Sequence, residues 1–134
     1  MNVITLVTDN HAGVLADVTE LLAQAGVNIE TIDASRVRDW AVIGLEVNDY
    51  AAALHALRGG PFTAFTSNIL LVCIDDKPGA LARVARILKD GDIDVGTLRI
   101  VGRDDACVLV ALSANEHTKA AHLLRDVVVP RPAA

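Results

Sequence analysis

The sequence predicts an α+β protein made of two tandem copies of a β-α-β-β-α-β unit, and three observations carry that expectation. Shifting the chain on itself by 66 residues aligns Asp9 with Asp75, Gly13 with Gly79, Leu15 with Leu81, Val18 with Val84, Leu22 with Leu88, Thr31 with Thr97 and Asp39 with Asp105, without a gap. Within each copy, apolar β-branched runs alternate with stretches of helical periodicity. The composition is 52% hydrophobic but only 3% aromatic, so Val, Leu, Ile and Ala must build the core, as suits helices packed on a sheet. A repeat of this length is a duplicated small domain, longer than the roughly 20–50 residue units of solenoids.

Each element has a local cause. Asn2 to Thr8 is an apolar run that reads as a strand. Val14, Leu15, Val18, Leu21, Leu22 and Ala25 then fall on one face of a helix, with Asp9 or Asn10 able to cap it and Gly26 able to end it. Val27 to Val37 is a partly buried strand, Arg38-Asp39 a polar turn, and Trp40 to Val47 the return strand of a hairpin. Asp49 caps a shorter helix that stops at Gly59-Gly60-Pro61, and Phe62 to Thr66 closes the unit. The second copy repeats the order as strand Ile69–Ile74, helix Ala80–Lys89, strand Ile93–Val101, strand Ala106–Leu112, helix Glu116–Arg125 and strand Val127–Val129. Pro78 is expected in the first turn of its helix, and Pro130 to Ala134 as a frayed tail. A four-stranded antiparallel sheet of order 4-1-3-2 with both helices on one face is the ferredoxin-like arrangement.

The repeat divides the 134 residues into domains 1–66 and 67–134, each near the lower size limit for an adequate core. Only Ser67-Asn68 separates the copies, so the two sheets are expected as close neighbours. Net charge is −5, with eight acids and three bases in residues 1–66 and nine of each in 67–134. No basic stripe is present, so neither nucleic acid nor an anionic membrane is an expected partner. The first residues show no basic segment and no long apolar run, from which a cytoplasmic location is expected. Cys73 and Cys107 lie inside apolar runs and read as small buried hydrophobes without Cys-x-x-Cys spacing; no metal site and no cofactor is expected.

Asp76-Lys77-Pro78-Gly79-Ala80-Leu81 after a strand, its altered copy Asn10-His11-Ala12-Gly13-Val14-Leu15, and strands beginning Val27-Asn28-Ile29 or Ile93-Asp94-Val95 resemble the ACT domain family. The resemblance spans nearly the whole chain, as two copies with no catalytic domain attached. It implies paired ferredoxin-like modules that bind amino acids and regulate metabolic enzymes. A turn leading into a helix N-terminus also suits a carboxylate on physical grounds, through free backbone N–H groups and the positive dipole end. Gly13 and Gly79 let the backbone approach a ligand, or alternatively serve only the turn and close packing of helix on strand.

In the serine-binding modules of that family, a turn asparagine and a strand asparagine hold the ligand from opposite sides of a domain pair. Those positions are Asn10 and Asn28 in the first copy, and Asp76 and Asp94 in the second. Asparagine can read a carboxylate and an ammonium together, whereas aspartate accepts only. Ala12 stands where the family has proline, and Thr8 where the serine-binding modules have histidine. The candidate set is therefore Asn10, His11, Ala12, Gly13, Val14 and Asn28, with Asp76, Lys77, Gly79, Ala80 and Asp94 in the second copy. Asn10 and Asp76 have a plain alternative as helix caps, and His11 as a solvated turn residue. No nucleophile with a nearby base and no phosphate loop is evident, so no enzyme is expected. The leading expectation is a regulatory module binding a small amino acid, dimeric or larger, acting on an enzyme or regulator protein. The alternative is a structural or protein-interaction module without a ligand, for which Trp40 is a candidate anchor, or equally a strand residue covering the sheet.

Overall fold

A computed structural model describes residues 3–66 and 68–129; the expected frayed tail, and Ser67 of the short link, lie outside the described residues. The chain splits into two compact units, Met1–Ser67 and Asn68–Ala134. In the first, β1 (Val3–Asp9), α1 (Val14–Gln24), β2 (Ile29–Val37), β3 (Trp40–Val47), α2 (Tyr50–Arg58) and β4 (Thr63–Phe65) follow in order. In the second, β5 (Leu70–Ile74), α3 (Ala80–Asp90), β6 (Val95–Arg103), β7 (Val108–Ala114), α4 (His117–Leu123) and β8 (Val128–Val129) repeat it. Both sheets are antiparallel, with orders β2-β3-β1-β4 and β6-β7-β5-β8, which is the expected ferredoxin-like topology.

Strand alternation sets each core. In the first unit Ile4 pairs with Leu45 and Leu6 with Ile43, and these side chains meet Val14, Val18 and Leu22 of α1 and Ala53 and Leu57 of α2. In the second, Leu70, Val72 and Ile74 pair with Leu112, Val110 and Val108 beneath Val84, Leu88, Ala120 and Leu124. The four-residue spacing of these helical residues, close to one helical turn, is what presents one apolar stripe to the sheet. Trp40 is only 4% exposed, at the start of β3 and outside this helix-facing core, so it does not stand out from the surface as an anchor.

The turn that enters each first helix differs from expectation. Neither Asp9 nor Asn10 caps α1; the N-cap is Gly13 at φ 87°, ψ 4°, and its counterpart Gly79 caps α3 at φ 88°, ψ −11°, with no side-chain cap in either case. The Val14 N–H donates to the His11 carbonyl (3.2 Å) and the Ala80 N–H to the Lys77 carbonyl (3.3 Å). Positive φ at the third of four residues is the type II turn, for which proline is favoured at the second. Pro78 therefore belongs to this turn, one residue ahead of the N-cap, and not to the first helical turn. By contrast Asp49 does cap α2, its carboxylate accepting from the Ala52 N–H at 3.1 Å.

Two further corrections concern the second unit. Its return strand starts at Val108, two residues later than expected, because the Asp104 carboxylate accepts from the N–H groups of Ala106 and Cys107 (both 2.8 Å) and holds that stretch as a loop. The partner strand β6 runs on to Arg103 across an irregularity between Ile100 and Gly102. Cys73 and Cys107 are not free hydrophobes but form a disulfide, with Cα atoms 5.5 Å apart on β5 and the lead-in to β7. Two apolar runs could not reveal the bond; only strand pairing brings the two sulfurs together. No helix among the described residues is long and apolar enough to cross a membrane.

The disulfide closes a loop across 34 positions, so reduction should destabilise the second unit by about 2–4 kcal/mol. Thermal unfolding with and without a thiol reductant measures this, and an unchanged melting temperature contradicts it. Both first helices end in a Schellman pattern, with Val27 N–H to Leu22 carbonyl and Ile93 N–H to Leu88 carbonyl (2.9 Å each), but the left-handed residue is Gly26 in one and Asp92, at φ 58°, in the other. Gly26→Ala should cost about 1 kcal/mol in urea unfolding, and Asp92→Gly should shift stability the opposite way.

Candidate functional site

The end of β1 and the hairpin turn of β2–β3 position the first-copy turn. The Asn10 N–H donates to the Asp39 carbonyl (2.9 Å), tying the start of the loop to the hairpin. A small cavity of about 190 Å³ opens there, lined by Asn10, Val14 and Leu15 and by Ala34, Ser35 and Arg36 of β2. The Asn10 side chain makes no hydrogen bond among the described residues, so its donors and acceptor are available. With no side chain capping α1, the N–H groups of Leu15 and Ala16 in its first turn are open to an anion as well. A Cβ built on Gly13 or Gly79 meets nothing within 4 Å, so these glycines serve the turn and not close packing of helix on strand.

His11 is exposed but not merely solvated. Its Nε2 lies 3.1 Å from an Asp17 carboxylate oxygen and its Nδ1 3.1 Å from the Asp9 carbonyl. Both partners only accept, and only the imidazolium donates from both nitrogens. The Asp17 carboxylate and then the Asp9 carbonyl thus raise the His11 pKa above its ordinary value of 6.5. In the second copy Lys77 takes the same place and pairs with Asp75 at 3.5 Å. Asp76, the counterpart of Asn10, is held by the Arg103 guanidinium at 3.6 Å. The two turns therefore share a basic side chain paired with a carboxylate and an uncapped helix start, while the second lacks a free amide.

The strand positions lie elsewhere. Asn28 and Asp94 precede β2 and β6, at the end of each sheet remote from the turns, because β2 runs nine residues, roughly 30 Å, before it reaches Val37. One unit cannot bring Asn10 and Asn28 to the same ligand. The Asn28 N–H donates to the Asn48 side chain (2.8 Å) and the Asp94 N–H to the Asn115 side chain (3.0 Å), with return bonds from the Asn48 and Asn115 N–H groups to the Asn28 and Asp94 carbonyls. These clamps fix the backbone and leave the Asn28 amide and Asp94 carboxylate facing outward, both exposed and without partners among the described residues. Asn48 and Asn115 were not among the sequence-derived candidates. They are 67 apart rather than 66, since the irregularity in β6 inserts a residue, and a gap-free shift passes over them. Asp17 and Arg103 were also missed, having no local pattern that links them to the turns.

Two four-stranded antiparallel sheets, each backed by two helices and entered through a type II turn with an uncapped helix start, define a tandem ferredoxin-like protein. Residues 4–58, most of the first unit, match the family model described as AHAS small subunit-like ACT domain, so the first unit is similar to that family. Solved structures similar to the chain include a protein from Bacteroides thetaiotaomicron, at 20% identity over 96% of this chain and 90% of that one, with TM-score 0.49. The regulatory subunit of aspartate kinase from Thermus thermophilus is similar at 16% identity, covering 94% and 91%, with TM-score 0.44. The small subunit of acetolactate synthase from Thermotoga maritima is similar at 12% identity, covering 95% and 88%, with TM-score 0.40. No curated protein sequence matches.

Because the raised pKa reflects a partner gained on folding, protonated His11 contributes stability that is fully present below its unfolded pKa and is lost as pH rises through the folded value. Asp17→Asn should lower the His11 pKa in an NMR titration and flatten the stability profile above pH 6.5. An unchanged titration would show that the pair does not form in solution.

Proposed function

We propose that the chain is a non-catalytic regulatory module that binds a small amino acid between paired ACT-like domains, with residues 67–134 as a second ACT-like domain. The observation that carries this reading is the placement of Asn10 and Asn28 at opposite ends of one unit, with the unpaired edge of β2 between them. Ile32 on that edge is 45% exposed, and Val95, Leu98 and Ile100 on β6 are 38–42% exposed. Long apolar edges call for a partner strand. Antiparallel pairing of two such edges sets the start of one β2 beside the end of the other, and so brings Asn28 of one unit to the Asn10 cavity of its partner. Asn10, Asn28 and the open N–H groups of the first helical turn then surround a small zwitterion: amides for both charged groups and the helix start for the carboxylate.

In this reading His11, Ala12, Gly13 and Val14 form the turn that receives the carboxylate. The second-copy set of Asp76, Lys77, Gly79, Ala80 and Asp94 pairs without a free amide and favours a carboxylate less. Ligand binding shifts the pairing equilibrium and hence the affinity for a regulated enzyme or regulator protein. A structural module without a ligand is the second reading, favoured by Asp76 being occupied by Arg103.

Thermal-shift screening of the full chain against the common amino acids is the test. A ligand at 100 times its dissociation constant should add about 2.7 kcal/mol. Asn10→Ala and Asn28→Ala should each abolish the shift, and Ile32→Lys should abolish both the shift and dimerisation in sedimentation. Absence of any shift at millimolar ligand, with dimerisation intact, favours the structural reading instead.

A further inference from the structure

The two copies part company where the last helix returns to the sheet. From buried Leu57 to Ala64, which faces Leu6 on β1, the first unit uses seven positions; from buried Leu124 to Val128, which faces Val72 on β5, the second uses four. The longer connection carries Gly59-Gly60-Pro61-Phe62. Phe62 packs against the first core, so tightly beside Gly60 that a Cβ there would lie 3.2 Å from both Phe62 and Leu21. The shorter connection, Arg125-Asp126-Val127, has no aromatic side chain to replace it.

A cavity of about 410 Å³ stands in that place, enclosed by the end of β5, one side of α3 and the α4–β8 connection. Its size falls within the range of roughly 300–1,000 Å³ typical of small-molecule sites. The floor is aliphatic: Ile74, Val84 and Leu124 are buried, and Ile87 and Leu123 half-buried. The rim is charged. Lys77 and Asp75 satisfy each other at 3.5 Å, but Arg83 on α3 and Asp126 on the α4–β8 connection have no ion pair and no side-chain hydrogen bond among the described residues. The first copy has Asp17 in the position of Arg83, occupied by His11.

We infer that this cavity is a second small-molecule site, confined to the second unit, for a zwitterion with an aliphatic body. The body covers the Ile74–Val84–Leu124 floor, a carboxylate meets the Arg83 guanidinium, and an ammonium meets the Asp126 carboxylate. A neutral hydrocarbon leaves both rim charges unused, and a ligand with one charge uses half of the rim. The site needs no second domain and does not depend on the Asn10–Asn28 reading.

The experiment is amide NMR of the full chain, titrated with L-leucine, 4-methylpentanoate and isopentylamine, which share an aliphatic body and carry both charges, the carboxylate only and the ammonium only. L-leucine should produce saturable shifts of the amides of residues 79–87 and 123–127, and each singly charged probe should bind at least about tenfold more weakly. Arg83→Gln and Asp126→Asn, both at exposed positions, should each weaken L-leucine by a similar factor with the fold unchanged. The double variant Asn10→Ala/Asn28→Ala should leave these shifts intact, which separates this site from the interdomain one. The inference is overturned if no probe shifts these amides at millimolar concentration, or if 4-methylpentanoate binds as well as L-leucine and Asp126→Asn has no effect.

Discussion

In each unit the first strand must end, reverse and deliver a helix onto the face it has just helped to form, within four residues in the first unit and five in the second. The type II turn at His11–Val14 and Lys77–Ala80 does this by placing one residue in the left-handed region, where glycine carries no Cβ penalty. That reversal fixes the direction from which α1 and α3 enter, and so sets Val14, Val18 and Leu22, or Val84 and Leu88, over the strand residues they bury. It also consumes the residue that would otherwise be a side-chain cap. The helix starts are left with open N–H groups as a by-product of the geometry that makes the core.

With the backbone held in common, the copies differ in what surrounds that turn. The first unit places a histidine between two acceptors, keeps a free amide at Asn10 and plugs its far side with Phe62. The second ties its acidic counterpart to Arg103, adds a disulfide across β5 and β7 and, with a shorter return from α4, leaves a cavity lined by aliphatic side chains. Duplication thus preserved the scaffold, while the chemistry at either side of the helix start diverged. The Pro-Gly pair is kept only in the second copy, whereas the Asn10 side chain is unpartnered among the described residues and its counterpart Asp76 is paired with Arg103.

Most of the fold was legible in the sequence because its determinants are local and periodic. Alternation in β1 and β3, the stripe of Val14, Val18 and Leu22, the Asp49 cap and the 66-residue repeat all act within a few residues or by direct comparison, and the element order and strand order follow from them. Residue types at the turns and strand starts were legible too. The boundary errors came where a side chain competes with the ladder: the Asp104 carboxylate delays β7, and glycine rather than asparagine or aspartate caps α1 and α3.

The sequence by itself determined a duplicated β-α-β-β-α-β chain with an aliphatic core and a polar turn ahead of each first helix, since periodicity and turn chemistry are written in neighbouring residues. Tertiary structure alone decided which distant groups meet: Cys73 with Cys107, His11 with Asp17, Asp76 with Arg103, and Asn48 and Asn115 with the strand starts they clamp. It also decided that Asn10 and Asn28 stand a strand length apart, and that three positions fewer after Leu124 open a cavity where Phe62 fills one. The physical reason is the same throughout: pairing across a sheet depends on register and loop length, and neither is encoded at the residues that pair.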